Sequence, residues 1–420
     1  MIANLSNPMK SYKDSYRRLS QLFEQEEECI EVVDKGIQIV NYSFNSDHSK
    51  VLPGNRMYQC DRHNREFREL YRFEDREHPG IYSGSLSRAD CNFDENRKFE
   101  CTLFKKSGEK KSDHVILLFH GLNEKHWNKY LPWAEKLVEL TGRSVLLFPI
   151  AFHMNRAPAA WGNPKQMKQI SDERKKEFPS IVGSSFANAA ISTRVQKIPQ
   201  RFFWSGLQSY RDVIQLVNQI RAGELPAVQK DAEIDFFAYS IGSILAQIVM
   251  MTNPRELFSQ SKLFIFCGGP TLDRMYPVSK YILDSEAHMA LYSYFIEHLE
   301  SSFKRDERLH HYFNEDHLSG TYFKSMLSYP QLKQVREDRF SELSNRIRAL
   351  ALKKDEVVPP GEVMNTLQGE FRDIPIKIDM LDFPFDYSHV TPFPIQSGID
   401  PEVSEAFEEV FNKAARFFKN

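Results

Sequence analysis

Short apolar runs recur along the chain after residue 98, and each is too short and too continuous for an amphipathic helix. They lie at residues 115–119, 144–150, 234–239, 263–267, 347–352 and 374–381. Such runs are typical of strands buried on both faces of a sheet. Between them, apolar residues spaced for one helical face predict helices at residues 130–140, 207–221, 241–252, 362–367 and 403–418. This alternation predicts an α/β protein with a doubly wound, mostly parallel sheet.

The first 97 residues are more polar and show no such alternation. Their pattern and that of the next few residues predict a solvated helix at 11–28, a strand at 37–44, a helix at 62–76 and a strand at 99–104. We therefore interpret residues 1–97 as an N-terminal elaboration that carries edge strands. Residues 98–420 are predicted to form the α/β core.

Two long segments, residues 151–205 and 270–343, interrupt the core pattern. Each leaves the C-terminal end of a predicted strand, and the second is rich in Tyr and Phe. We expect the two insertions to form a helical cap or lid over a site at this edge of the sheet. Aromatic residues that merely hold an inserted helical subdomain together are the alternative interpretation.

Four histidines in the second insertion raise the question of a metal site. They are His298, His310, His311 and His317. Their spacing lacks the His pair at i and i+4 with an adjoining Glu that marks zinc proteases. We therefore expect solvated helix histidines and no metal ligands among them.

The sequence Ala-Tyr-Ser-Ile-Gly at residues 238–242 lies between a predicted strand and a predicted helix. Small residues two positions before and after Ser240 permit a sharp turn that presents the serine hydroxyl at a helix N-terminus. Backbone N–H groups there can stabilise a developing oxyanion. Taken alone, the pattern also fits a serine that caps the helix.

Polar residues with catalytic potential follow several of the predicted parallel strands. His120, Gly121 and Leu122 come after the first core strand, Ser240 after a later one, Asp355 after residues 347–352 and His389 after residues 374–381. Because ligands of open α/β sheets bind at the C-terminal strand ends, we expect these residues to meet at one edge.

The order of these residues resembles that of the α/β-hydrolase superfamily, in which Ser, acid and His follow one another along the chain. The resemblance covers roughly residues 98–418. It implies that Ser240 is the nucleophile, His389 the general base and Asp355 the acid that orients the imidazole. It also implies an oxyanion hole formed by the backbone N–H groups of Ile241 and Leu122.

The chain departs from the superfamily pattern at two points. Ala238 replaces the first glycine of Gly-x-Ser-x-Gly, and no glycine directly follows Leu122, so the triple-glycine donor set of lipases is absent. His120 matches the histidine beside the oxyanion glycine, which is usually structural. His120 and His153 are nevertheless candidate substrate contacts, because both follow predicted strand ends.

The partner of His389 is not fixed by sequence order alone. Asp382 and Asp386 are nearer to His389 in the chain than Asp355 is. Either carboxylate could orient the imidazole, and Asp355 could then be an ordinary turn residue.

Composition narrows the class of protein. The 420 residues carry a formal net charge of −2, which gives no argument for a nucleic-acid partner. The five cysteines are widely spaced, so we interpret them as free thiols in a reducing compartment. No stretch approaches 18 uninterrupted apolar residues, and we expect no signal peptide, no membrane span and a cytoplasmic location. The sequence carries no signal for an oligomeric state.

Together, the resemblance and the composition imply a serine hydrolase that needs no cofactor. It would cleave an ester or related acyl bond of a small molecule through an acyl-enzyme, and the aromatic insertion favours an apolar or aromatic acyl group. Two alternatives stay open: a non-catalytic ligand-binding protein on the same scaffold, and an acyltransferase or peptidase with the same triad.

Overall fold

The computed structural model describes residues 11–23, 29–32, 36–60, 62–71 and 86–420. Within these ranges lie a nine-stranded sheet and a separate two-stranded hairpin. With strands numbered along the chain, the spatial order of the sheet is β1 (Cys29–Val32), β2 (Ile37–Asn45), β5 (Lys98–Lys106), β7 (Ser144–Leu147), β6 (Ser112–Phe119), β8 (Val228–Tyr239), β9 (Leu263–Phe266), β10 (Ile347–Leu352) and β11 (Lys377–Leu381).

The six strands from β7 to β11 are parallel, whereas β1, β2 and β5 form an antiparallel edge. The chain passes from β6 to β7 on one side and then crosses to β8 on the other. The C-terminal ends of β6 and β8 therefore lie at a topological switch point, where open α/β sheets bind ligands. This architecture confirms the predicted α/β-hydrolase fold, with its doubly wound, mostly parallel sheet.

Helices cover both faces of the sheet. Those outside the two insertions are α1 (Tyr12–Phe23), α2 (Asp94–Arg97), α3 (Leu131–Thr141), α6 (Arg201–Ala222), α7 (Gly242–Thr252), α13 (Pro360–Leu367) and α14 (Asp400–Lys419). One apolar layer contains side chains of α1, α3 and α14, and the other contains those of α6 and α7. No helix among the described residues is long and apolar enough to cross a membrane.

The segments predicted as insertions hold the remaining helices. They are α4 (Pro164–Glu177), α5 (Ala189–Lys197), α8 (Ser285–Tyr292), α9 (Leu299–Phe303), α10 (Glu307–Asn314), α11 (Leu318–Ser325) and α12 (Lys333–Leu343). A fully buried ion pair joins the two segments, because Arg174 of α4 donates two hydrogen bonds of 2.8 Å to the carboxylate of Asp284. Asp284 also caps α8 by accepting from the N–H of Ala287.

Two predictions for the N-terminal segment are corrected. The helix predicted at residues 11–28 corresponds to α1 (Tyr12–Phe23), and residues 24–28 lie outside the described residues. This helix is amphipathic rather than solvated, since Tyr12 and Leu19 are buried against α3 and α14. Residues 57–68 form a hairpin of β3 (Met57–Cys60) and β4 (Arg65–Arg68) in place of the helix expected from residue 62. Exposed and buried residues alternate along β3, the period of a half-buried strand, and Phe67 is the buried residue of β4. The rest of that predicted helix, residues 72–76, lies outside the described residues.

The histidines of the second insertion are not all solvated. His298 and His310 are exposed, as predicted, but His311 is fully buried and His317 is 8% exposed. The prediction is wrong for these two because α10 and the start of α11 pack against the β3–β4 hairpin, and this contact joins segments far apart in sequence.

Candidate active site

Ser240 lies at the turn between strand β8 and helix α7. Its backbone has φ of +55°, in the left-handed region that non-glycine residues rarely adopt. A Cβ at Gly242 would lie 2.7 Å from the carbonyl oxygen of His120 and 2.9 Å from Cβ of Phe119. Glycine is therefore required two residues after Ser240, because the new helix passes directly over the end of β6.

The hydroxyl of Ser243 holds this turn in place. It donates to the carbonyl oxygen of Ser240 over 2.6 Å and accepts from the N–H of Gly269 over 2.9 Å. Ser243 is fully buried, so these two bonds satisfy backbone groups that water does not reach. The turn after β8 is thereby tied to the loop after β9.

Three predicted residues meet in one chain of hydrogen bonds. Nε2 of His389 lies 2.7 Å from Oγ of Ser240, and Nδ1 lies 2.8 Å from Oδ2 of Asp355. Each side chain is at most 5% exposed. Since a carboxylate only accepts, Nδ1 carries the imidazole proton and the lone pair of Nε2 faces the serine hydroxyl. This tautomer is the one that can take a proton from Ser240.

The carboxylate of Asp355 is fixed by the loop that follows β10. Its other oxygen, Oδ1, accepts from the N–H groups of Val357 and Val358 over 3.0 and 2.8 Å. These two bonds hold Oδ1 in place and leave Oδ2 directed at the imidazole. Asp355 thus has a defined orientation toward His389.

The two rival carboxylates are placed elsewhere. Asp382 accepts a hydrogen bond of 3.0 Å from the hydroxyl of Tyr387, and Asp386 is exposed. Within the described residues, the carboxylate that reaches the imidazole of His389 is that of Asp355. The geometry therefore favours Asp355 as its partner.

Tyr239, which precedes the candidate nucleophile, contacts His389 in two ways. Its hydroxyl donates to the main-chain carbonyl of His389, and its ring stacks on the imidazole with centroids 5.4 Å apart. Burial raises the pKa of Tyr239 well above its usual value, so the hydroxyl keeps its proton. The loop that carries His389 is consequently held against the end of β8.

The backbone N–H groups of Leu122 and Ile241 border the same cavity as Ser240. Across residues 86–420, neither N–H has a hydrogen-bond acceptor. Ile241 precedes the first residue of α7, where the helix dipole favours negative charge. The two residues predicted to supply an oxyanion hole thus line the cavity of Ser240 and carry N–H groups without an acceptor.

His120 holds the loop that carries Leu122. Its Nδ1 donates to the carbonyl oxygen of Gly121 over 2.8 Å, and its Nε2 accepts from the N–H of Ile150 over 2.9 Å. Burial lowers the pKa of His120 well below its ordinary value, so the ring is neutral. Both nitrogens are occupied, which favours the structural alternative over substrate contact.

Three cavities with shared lining residues lie beside the site. The smallest of the three, of about 30 Å³, is lined by Ser240. A second of about 80 Å³ lies along α7, and the largest of the three, of about 430 Å³, lies between the two insertions and the loop after β6. Leu122 and Phe202 line all three cavities, and Leu283 and Leu291 line both the largest and the smallest. These apolar side chains therefore lie between the largest cavity and the one that Ser240 lines.

A family model described as a family of unknown function (DUF6051) matches residues 9–419. The chain belongs to this family. A search of the curated proteins found no match to the sequence.

Solved structures similar to this DUF6051 protein include several esterases. Esterase Est22 is 12% identical, covers 100% of this chain and 96% of its own, and has a TM-score of 0.46. Carboxyl esterase 2 from the mycorrhizal fungus Tuber melanosporum is 12% identical, with coverages of 76% and 82% and a TM-score of 0.44. A thermostable esterase from Pseudomonas putida is 10% identical, with coverages of 96% and 89% and a TM-score of 0.38. These values transfer no substrate and no residue role.

His153 of the DUF6051 protein lines the two larger cavities. Its Nδ1 donates to the carbonyl oxygen of Ala151 over 2.9 Å, while Nε2 is buried with no partner among the residues described. Burial lowers the pKa of His153 to about 4, so the ring is neutral and Nε2 can only accept a hydrogen bond. Of the two histidines proposed as substrate contacts, His153 is the one whose ring has a nitrogen without a hydrogen-bond partner among the described residues.

Several residues that shape the site were not found from the sequence. Tyr239 and Ser243 flank the serine but carry no spacing signal of their own. Tyr130 accepts from the N–H of Gly121, and Lys129 pairs with Glu124 in the same loop. Their roles follow from side chains that reach across the site, which no local pattern records.

Proposed function

We propose that this DUF6051 protein is a serine hydrolase that cleaves an ester or related acyl bond of a small molecule. The observation that carries the proposal is the hydrogen-bond chain from Ser240 through His389 to Asp355. A serine hydroxyl is a weak nucleophile unless a base takes its proton as it attacks. Here the base lies at 2.7 Å with its lone pair correctly directed.

The reaction would begin with attack of Ser240 Oγ on the acyl carbon while Nε2 of His389 accepts the hydroxyl proton. Asp355 stabilises the imidazolium that forms. The N–H groups of Leu122 and Ile241 donate to the oxyanion, and one such donor is worth about 3 kcal/mol. His389 then returns the proton to the leaving oxygen, which departs and leaves the acyl-enzyme. Water, activated by the same histidine, releases the acid.

The lining of the cavities supports an apolar acyl group. The cavity along α7 is bounded by Phe203, Ile244, Leu245 and Phe323, and its walls carry almost no polar surface. Its small volume suits a short chain or a single ring better than a long fatty acyl chain. His153 would accept a hydrogen bond from a donor on the remainder of the substrate.

Labelling with a fluorophosphonate probe tests the serine directly. We expect the wild type to be labelled, and Ser240→Ala and His389→Gln to lose labelling on the order of 10⁴-fold or more. Ser341→Ala, which changes an exposed serine on α12, and His298→Gln are the matched controls. Undiminished labelling of folded Ser240→Ala would refute the proposal. Hydrolysis of p-nitrophenyl esters of increasing chain length then tests the small acyl cavity.

The alternatives make different predictions. A non-catalytic binding protein needs no activated serine, and Ser240 of a folded wild type would not react with the probe. An acyltransferase would form the same acyl-enzyme but pass the acyl group to an added alcohol in preference to water. A peptidase would turn over amides as well as esters. Product analysis with and without an acceptor alcohol separates these outcomes.

A further inference from the structure

Four side chains outside the candidate active site converge where the β3–β4 hairpin packs against the second insertion. They are Cys60, His63, His311 and His317, and one ligand atom from each lies within 4.8 Å of the other three. His311 Nε2 lies 3.3 Å from His63 Nδ1 and 3.2 Å from His317 Nε2. Cys60 Sγ lies 3.6 Å from His63 Nδ1 and 3.5 Å from His317 Nε2.

Four of the six separations among these ligand atoms fit the edges of a tetrahedron around one metal ion, and the other two pairs lie within 4.8 Å. Zinc binds imidazole nitrogen at about 2.0–2.1 Å and thiolate sulfur at about 2.3 Å. In a regular tetrahedron those bond lengths place two nitrogens about 3.4 Å apart, and a nitrogen and a sulfur about 3.5 Å apart. The four separations between 3.2 and 3.6 Å agree with these values.

The ligand types and their surroundings also point to zinc. A thiolate with three imidazoles is a donor set that zinc prefers, and four protein ligands leave no open position, which is typical of structural zinc sites. Cys60 and His311 are at most 1% exposed and His317 is 8% exposed, whereas His63 is exposed.

The carboxylate of Glu315 fixes the orientation of His311. Its Nδ1 lies 2.8 Å from Oε2 of Glu315, which in turn pairs with Arg65 of the hairpin over 2.8 Å. The carboxylate accepts from Nδ1, so the lone pair of Nε2 faces the cluster. Carboxylate–histidine pairs of this kind accompany most zinc-bound histidines.

We propose that Cys60, His63, His311 and His317 bind one zinc ion that fastens the β3–β4 hairpin to helices α10 and α11. Cys60 ends β3 and His63 lies in the hairpin turn, while His311 lies on α10 and His317 directly precedes α11. The site joins residues about 250 positions apart, as His63 and His311 are separated by 248. It replaces the expectation of no metal ligands in the second insertion, and it is independent of the chemistry at Ser240.

Metal content and cobalt spectroscopy test the site without reference to activity. The full-length protein is incubated with zinc, dialysed and analysed by mass spectrometry for bound metal. We expect about one zinc ion per chain. Replacement by cobalt should give the intense visible bands of tetrahedral cobalt and a near-ultraviolet thiolate charge-transfer band. A folded wild type that retains no zinc, or a cobalt spectrum without the thiolate band, would overturn the proposal.

Variants with matched controls identify the ligands. Cys60→Ser should abolish the thiolate band, whereas Cys91→Ser, at a free thiol outside the cluster, should leave it unchanged. His63→Gln alters an exposed ligand and should fold even if the buried thiol proves essential. We expect it to weaken zinc binding at least tenfold, and His298→Gln to have no effect. Equal zinc affinity in His63→Gln and wild type would contradict the assignment.

Discussion

The hydroxyl of Tyr239 donates a hydrogen bond to the main-chain carbonyl of His389, and the two rings stack with an interplanar angle of 18°. The residue before the candidate nucleophile thus holds the candidate base. Because Tyr239 ends strand β8 and His389 lies in a loop 150 residues further along the chain, this bond holds that loop beside Ser240.

Tyr239→Phe keeps the stacked ring and removes only this hydrogen bond. The loop of His389 gains freedom, so we expect the rate of fluorophosphonate labelling and kcat to fall about tenfold, with KM little changed. Tyr276→Phe, at a residue 55% exposed, should show neither effect. An unchanged kcat in Tyr239→Phe would mean that the bond does not position His389.

Asp355→Asn tests the tautomer of His389. Oδ1 accepts from Val357 and Val358, so the amide of the variant would turn its NH₂ group toward Nδ1. That arrangement places the imidazole proton on Nε2, where it cannot accept the serine proton. We expect kcat to fall on the order of 10³–10⁴-fold.

The matched variant is Asp382→Asn, whose carboxylate accepts from Tyr387 instead. This variant should retain kcat within about twofold, because Asp382 contacts Tyr387 and not the imidazole of His389. A greater loss in Asp382→Asn than in Asp355→Asn, measured with the same ester, would reverse the assignment of the acid.

Gly242→Ala tests the close passage of α7 over β6. The added Cβ would lie 2.7 Å from the carbonyl oxygen of His120, which is too close for a van der Waals contact. The contacting atom belongs to the backbone, so the main chain itself would have to shift. We expect a loss of about 1–3 kcal/mol in the free energy of unfolding, together with weaker labelling.

Gly361→Ala is the control for helix propensity, because nothing lies within 4 Å of its added Cβ on α13. It should be neutral or stabilising by up to about 1 kcal/mol. Urea denaturation of both variants separates the steric effect from the general effect of replacing glycine.

His153 should make the protein less stable in mild acid. Its folded pKa is about 4 because of burial, whereas an unfolded histidine titrates near 6.5. Between these values the unfolded chain binds more protons, so the free energy of unfolding falls as the pH drops from about 6.5 to about 4, by about 3 kcal/mol in total. Above pH 6.5 both states are neutral and the effect vanishes.

His153→Gln should therefore show a shallower fall in the free energy of unfolding over this pH range than the wild type. Urea denaturation at several pH values measures the difference in slope. His298→Gln, at an exposed histidine, should follow the wild type. Parallel curves for His153→Gln and wild type would show that His153 is not held neutral by burial.

The sequence by itself determined the fold class and proposed the three residues that the structure brings into one hydrogen-bond chain. Strands buried on both faces must be continuously apolar, and helices that cover them must be amphipathic, so the alternation is written into local pattern. The turn around Ser240 is equally local, since the small residues at 238 and 242 are needed by the backbone itself. The order of Ser240, Asp355 and His389 then placed three side chains at one edge of the sheet.

Other features were decided only by the tertiary structure. Asp355 and Asp382 both follow late strands, and the choice between them depends on which carboxylate reaches an imidazole across the site. Helix α1 was expected to be solvated because its sequence is polar, yet Tyr12 and Leu19 are buried by α14 from the far end of the chain. His311 and His317 meet Cys60 and His63 because two distant segments pack together. Local periodicity reports which face of an element is buried, and only the packed chain determines what that face is buried against.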